Sequence, residues 1–210
     1  MINYILSLLL GYSIGSLPTA YLLVKWKSRV DIRESGSGNV GALNAFEVSS
    51  SKLLGLGVLL IDLIKGSAAV WLSSRLIGQD VWIMGIAGFG TILGHNYSVW
   101  LGFKGGRGLA PAAGVMLVLS WICVVIWCTI WLVLYLYVRN VHASNISASV
   151  LSPAAAWLTP PSLQAAPAGA GNTYAVAVLV LAVLCVMILQ RHIQYLPELR
   201  RFIHKSKRSE

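Results

Sequence analysis

Apolar runs long enough to cross a lipid bilayer recur along the whole chain, and they limit its fold more than any other feature. About 30 Å of hydrocarbon takes about 20 apolar helical residues to span, and such runs stand at residues 2–26, 53–76, 81–101, 111–138 and 174–189. A further apolar segment at 146–158 is shorter. With 57% hydrophobic and 11% charged residues and a mean hydropathy of +0.73, the 210-residue chain lies outside the range of an ordinary water-soluble domain. The first run is longer than the apolar core of a secretory signal and has no charged stretch before it, so it reads as a retained helix. The expected fold is an all-α polytopic helical bundle of five to seven transmembrane helices, short or broken ones included.

The 16 Lys and Arg residues report orientation. Lys25, Lys27, Arg29 and Arg33 follow the first run, Lys104 and Arg107 follow the third, and Arg191, Arg200, Arg201, Lys205, Lys207 and Arg208 end the chain. The connection between the second and third runs carries Arg75 balanced by Asp80. This places the first loop, the third loop and the C-terminus in the cytoplasm and the N-terminus outside. The tail also suits anionic lipid head groups, so membrane lipids are expected partners and nucleic acid is not. Cys123, Cys128 and Cys185 all lie in apolar runs, where free cysteine acts as a small hydrophobe. Neither a metal site nor a disulfide framework is implied.

Residues 111–138 are too many for one untilted span and too few for two full ones. They form either a tilted helix or two half-length helices broken near Leu119 to Trp121, and Arg139 is cytoplasmic only if the chain goes out and returns before it. The Pro/Ala/Gly-rich residues 152–171 read as an external loop with short helical pieces. No repeat and no soluble domain is visible, so residues 1–210 are expected to form one membrane domain. Its glycine-rich loops lie near 31–47 and 102–110, and its basic tail near 190–210. Gly11 with Gly15, and Gly90 with Gly94, have the spacing that lets helices approach closely. Gly11-Tyr12-Ser13-Ile14-Gly15 also matches a nucleophile elbow, but it sits inside an apolar helix and lacks the strand that motif needs.

The chemistry gathers in the loops. Gly36, Gly38 and Gly41 have the spacing of a dinucleotide fingerprint, with Asp62 about 20 residues on, but no strand precedes them. What remains is a phosphate cradle: glycines let backbone N–H groups converge on an anion, Ser35, Ser37 and Asn39 add donors, and Arg33 stands alongside. The second loop runs from Gly94-His95-Asn96-Tyr97 through Gly102-Phe103-Lys104-Gly105-Gly106-Arg107-Gly108. There Lys104 and Arg107 can neutralise phosphate while the glycines admit it closely. His95, near the same membrane face, can donate, accept or act as a base. Asp62 and Lys65, one helical turn apart inside a span, are either functional or a self-satisfied ion pair. Ser144-Asn145-Ile146-Ser147 and Arg191-His192 offer further hydroxyl, imidazole and guanidinium groups to the cytoplasmic face.

In their order these motifs resemble the bacterial acyl-phosphate:glycerol-3-phosphate acyltransferases. The matching residues are Gly15-Ser16-Leu17-Pro18, Asp31 with Arg33, Ser35 to Asn39 with Gly41, Ala42 and Asn44, and Asp62 with Lys65-Gly66. They continue with Gly94-His95-Asn96-Tyr97, Gly102-Phe103-Lys104-Gly105-Gly106, Gly108 and Arg191-His192. The resemblance implies transfer of a fatty acyl group from acyl phosphate to the sn-1 hydroxyl of glycerol 3-phosphate, giving lysophosphatidate and phosphate. It implies an inner-membrane enzyme with a cytoplasmic active site, no cofactor and no metal, and it leaves the oligomeric state open, a monomer being compatible with it. It implies one phosphate on Ser35, Gly36, Ser37, Gly38, Asn39 and Gly41, assisted by Arg33, Lys104, Gly105, Gly106, Arg107 and Gly108, with Asn44, Ser144 and His192 lining the other substrate. Lys104, His95, His192 and Ser144 are the expected catalytic group. The chain departs from the family pattern at Leu43 (usually Thr), Glu47 (usually Arg), Arg107 (usually Lys) and Pro111 (usually Thr). It departs again after the C-terminal histidine, where Gln194, Tyr195 and Leu196 replace an acid, Asn and Ile. None of the histidines has an Asp five residues later, unlike the His-x4-Asp acyltransferases. The competing class is a transporter or a non-catalytic binder of phosphorylated ligands, but the polar groups gather on one face and no repeated halves are seen.

Overall fold

The computed structural model describes residues 1–160, 163 and 173–195; among them the secondary structure is all helical, with no strand. The first apolar run does not form one continuous helix. It divides into α1 (Ile2–Gly15) and α2 (Thr19–Ser28). Pro18 has no N–H to donate and disfavours helical backbone at Leu17, so the break falls there. Next come the short α3 (Ala42–Ser49), then α4 (Lys52–Leu76) and α5 (Val81–Asn96). Side chains start the last two: Ser51 accepts from Leu54 N at 3.4 Å, and Asp80 accepts from Trp82 N at 2.7 Å.

The long fourth run is α6 (Leu109–Val138), and it is interrupted at Ser120, whose φ of −165° and ψ of 96° are extended. Of the two alternatives open in the sequence, the broken helix is the one the chain adopts. Serine with extended backbone is the usual start of a helix, so the second half begins where a residue suited to the task stands. Arg139 ends α6 in the left-handed region, and the Asn140 side chain accepts from Ala143 N at 2.9 Å to open α7 (Val141–Trp157). α7 corrects two expectations. It begins before residue 146 and takes in Ser144 and Asn145, and it continues through Pro153 to Trp157 instead of giving way to a loop at 152. Proline is tolerated inside a membrane helix where neighbouring groups satisfy the freed backbone. Most of the remaining 158–171 stretch, and the tail beyond 195, lie outside the described residues. α8 (Thr173–His192) ends in a 3-10 turn, Ile193–Tyr195.

Four stretches, Ile2–Ser28, Lys52–Leu76, Leu109–Val138 and Thr173–His192, are long and apolar enough to cross a membrane; α5 and α7, with 16 and 17 residues, are shorter. Leu60, Ile64, Trp71, Leu132, Val133 and Val186 face outward as lipid-facing residues do. Lipid tails give no hydrophobic reason for helices to associate, so close packing must hold them together. α1 and α5 cross backbone to backbone. A Cβ at Gly11 would strike Ala87 O, one at Gly15 would strike Thr91 O, and Gly90 and Gly94 lie as tightly on Leu8 O and Tyr12 O. α4 and α6 cross the same way, Gly66 on Pro111 O and Gly114 on Leu63 O, with Ser67 Oγ donating to Gly114 O at 2.8 Å. Ser7 Oγ joins α1, α5 and α4, donating to Ile83 O at 2.5 Å and lying 2.7 Å from Ser73 Oγ.

Gly11→Leu should therefore force α1 off α5, at about 1–3 kcal/mol or more, and lower the unfolding temperature in detergent. Gly57→Ala, with nothing within 4 Å of the added carbon, should leave it unchanged or raise it. Equal unfolding temperatures for the two variants would contradict the crossing.

Candidate active site

The first glycine loop is folded by one buried amide. Asn44 on α3 donates through Nδ2 to Asn39 O (2.9 Å), Ser35 O (3.1 Å) and Ile32 O (3.2 Å), and its Oδ1 accepts from Ser37 N at 2.9 Å. Gly36 and Gly38 turn the chain around it at φ values of 58° and 69°, and a Cβ at Gly36 would collide with Asn44 Oδ1. Asn44, expected to line a substrate, thus shapes the loop that Ser35, Ser37 and Asn39 belong to. Arg33 is engaged nearby: its Nη2 lies 2.6 Å from Asp31 Oδ2, its Nε 3.0 Å from Oδ1, and its guanidinium 5.1 Å from the Tyr21 ring centre. Those hydrogen bonds hold the Asp31 carboxyl down at about 2.

The second loop folds back on the end of α5. Gly106 N donates to His95 O at 3.0 Å, and a Cβ at Gly105 would meet that same carbonyl. Gly106 lies on His95 Nε2 and on Val40 O, so the two glycine loops touch. Gly108 takes φ 83° above the Asn96 side chain and begins α6. Each loop ends on a glycine at the N-cap position of a helix that has no side-chain cap, Gly41 before α3 and Gly108 before α6. Uncapped helix N-termini present unpaired N–H groups and favour negative charge. The Lys104 side chain is exposed and makes no hydrogen bond or ion pair among the described residues.

The end of α8 closes the site from the other side. Arg191 donates to Gly105 O (3.0 Å) and Gly106 O (3.1 Å), and its guanidinium lies over Tyr97. Arg107 donates to Tyr195 Oη and lies over the same ring at 4.4 Å. His192 is fully buried; its Nδ1 donates to Ile188 O at 2.8 Å, which leaves Nε2 to accept from Asn145 Nδ2 at 3.4 Å. Asn145 Oδ1 in turn accepts from Trp131 Nε1 at 2.6 Å. Ser144, also buried, donates to Asn140 O at 2.9 Å. At the α7–α8 contact His192 therefore meets Asn145, while the Ser144 hydroxyl bonds back within α7. Asn145 and Arg191 were read in the sequence only as part of the motifs that carry Ser144 and His192, Tyr195 only as a departure from the family pattern, and His142 was not singled out.

Beneath the loops, Lys65 Nζ lies 2.8 Å from Asp62 Oδ1 and donates to Leu17 O at 3.1 Å, and His95 Nδ1 is 3.9 Å from the same Asp62 oxygen. The ion pair thus serves the helix break, with His95 against it, around a cleft of about 210 Å³ that Ser16 and Thr19 also line. A second, apolar cavity of about 460 Å³ lies between α6 and α8, lined by residues including Leu109, Met116, Cys123, Trp127, Leu184 and Ile188. Leu109 directly follows the second loop, and Ile188 is one turn before His192. Among the departures, Glu47 is exposed on α3 with no hydrogen bond or ion pair among the described residues. Pro111 sits in the first turn of α6, where no intrahelical N–H is needed.

Known proteins share this chain's pattern over nearly its full length. The family described as "Glycerol-3-phosphate acyltransferase" matches residues 5–202. A glycerol-3-phosphate acyltransferase of Mesorhizobium japonicum is 40% identical over 152 residues, 72% of this chain and 75% of the relative. One of Erythrobacter litoralis is 38% identical over 149 residues, 71% and 74% of the two chains. Among solved structures, PlsY (YgiH), an integral membrane glycerol 3-phosphate acyltransferase, superposes in its glycerol 3-phosphate form with a TM-score of 0.78 at 28% identity, covering 94% of this chain and 92% of that one. Its lysophosphatidic acid form gives 0.77 at 26% identity. With the sequence motifs, the broken-helix bundle and the paired glycine loops all in agreement, the chain is a membrane-embedded member of the glycerol-3-phosphate acyltransferase family.

Proposed function

We propose that this chain transfers a fatty acyl group from acyl phosphate to the sn-1 hydroxyl of glycerol 3-phosphate, releasing inorganic phosphate. The observation that carries the reading is the contact of two glycine loops, each feeding an uncapped helix N-terminus, with Lys104, Arg107 and Arg191 around the second. The two substrates are both phosphates, and a site that holds them together must offer two sets of anion donors side by side. The loop of Ser35, Ser37 and Asn39 supplies one set. Lys104, Arg107 and the N–H groups that open α6 supply the other.

Phosphate is already a good leaving group, so attack of the glycerol hydroxyl on the acyl carbonyl breaks the carbonyl–phosphate bond without an acyl-enzyme. The hydroxyl proton leaves with the departing phosphate or through His95, whose Nε2 lies under Gly106. Catalysis is then a matter of positioning two anions and stabilising the carbonyl oxyanion, with Lys104 the exposed cation free for that task. His192 contributes by fixing α8 to α7 through Asn145 behind the loops, and Ser144 lies beside that contact on α7. The apolar cavity between α6 and α8 suits the acyl chain, since it runs from beside Gly108 into the bundle. The positive charges flanking the loops favour a cytoplasmic site, an outside N-terminus and the bacterial inner membrane. One copy of the chain, as a single membrane domain, supplies every group named.

Purified protein in lipid nanodiscs should form lysophosphatidate from palmitoyl phosphate and glycerol 3-phosphate, with one phosphate released per product, and none from palmitoyl-CoA. Absence of product with both donors would sink the proposal. Lys104→Ala should lower the rate by well over tenfold; an unchanged rate would make Lys104 an interfacial anchor. Ala113→Phe, at the wall of the apolar cavity, should move donor preference toward shorter acyl phosphates, and an unaltered chain-length profile would place the acyl chain elsewhere.

A further inference from the structure

Arg107 and Tyr195 depart from the family pattern at positions far apart in the chain, and the structure brings them into contact. The Arg107 guanidinium donates to Tyr195 Oη and lies over the phenol ring at 4.4 Å. The ring is itself held from its side by His142, the second residue of α7, with ring centres 3.9 Å apart and planes 12° from parallel. Arg107 is only 9% exposed. Burying a cation is costly unless its charge and donors are answered, and the aromatic face and phenol oxygen of Tyr195 answer part of each.

The two side chains make sense as one unit. Lysine ends in a compact ammonium whose donors rotate freely, whereas arginine presents donors in a fixed plane, and their direction depends on how that plane is held. Tyr195 sets its ring against the guanidinium and takes one Nη2 donor, and so restricts the direction of the rest. Four residues earlier, Arg191 grips the carbonyls of Gly105 and Gly106. The last turn of α8 therefore holds the backbone just before Arg107 and the tip of its side chain at once.

We propose that Tyr195 is a positioning residue for phosphate binding: stacked on His142, its ring fixes the plane of the Arg107 guanidinium, and the arginine serves the second glycine loop only with that ring beside it. This rests on the reading of residues 102–108 as a phosphate loop.

The test is a double-mutant cycle on the full chain in nanodiscs, reading affinity for inorganic phosphate from the ligand-dependent rise in unfolding temperature. Tyr195→Asn and Arg107→Lys should each weaken binding about tenfold. The double variant should bind about as well as either single one, because the plane no longer matters once a lysine replaces the arginine. Tyr195→Phe, which keeps the ring and its stacking, should fold as the unmutated chain does and lose no more than about threefold. In acyl transfer the Tyr195 variants should raise KM for a phosphate substrate with kcat little changed. Losses that multiply in the double variant, unaltered affinity in Tyr195→Asn, or no phosphate binding by the unmutated chain would each overturn the proposal. Failure of the unmutated chain to transfer acyl groups would instead count against the acyltransferase reading, while the phosphate cycle would still decide the role of Tyr195.

Discussion

Hydrocarbon offers no partner to a peptide group, so every interruption of a spanning helix in this chain has to be repaired by protein. The repairs are specific. Where Pro18 breaks the first run, Ser98 Oγ donates to Ser16 O at 2.6 Å and Lys65 donates to Leu17 O. Where α5 ends inside the bundle, Gly106 N caps His95 O, and Arg191 answers the carbonyls of Gly105 and Gly106. Those repairing groups come from α4, the second loop and α8, and they meet on one side of the molecule. Broken backbone, which lipid cannot tolerate, is thus what gathers polar side chains into a single place.

The same constraint explains why the site needs glycine twice over. In the helices, Gly11, Gly15, Gly90 and Gly94 bring α1 and α5 close enough to present the end of α5 beside the Pro18 break. In the loops, Gly105 and Gly106 lie directly on His95, and Gly106 reaches Val40 of the other loop. A side chain at any of these positions would part elements whose contact forms the site. Packing and chemistry are served by one residue type for one reason, close approach of backbones.

Much of this was legible in the sequence, and what was missed has a common cause. Span lengths, the glycine pairs and the two loops are local patterns, readable from hydropathy and spacing. The break in α6 could be narrowed to the region of Ser120 because the run was the wrong length for any whole number of spans. The division of the first run at Pro18 was passed over because the residues on both sides are apolar, and α7 was shortened because Pro153 reads as a stop unless a membrane neighbour repairs it. Asn44, expected to line a substrate, has its amide bonded to the first loop, and His192 and Ser144, expected in the catalytic group, bond to Asn145, Ile188 and Asn140. In each case residue type told that a polar group mattered, and the partners it has in the fold could not be read from type alone.

The departures from the family pattern divide along the same line. Glu47 stands in place of a cation, but it is exposed on α3, where water screens its charge and blunts its effect on an anion in the loop. Arg107 lies in the loop itself, and there a change of cation is a change of geometry as much as of charge. Its neighbour Tyr195 belongs to the turn that ends α8, the element that also supplies Arg191 and His192. A substitution in the second glycine loop and one near the end of the described chain are thus joined through the same turn. A change of planar donor at one position alters what the ring at the other must do, and neither departure has a physical meaning when read alone.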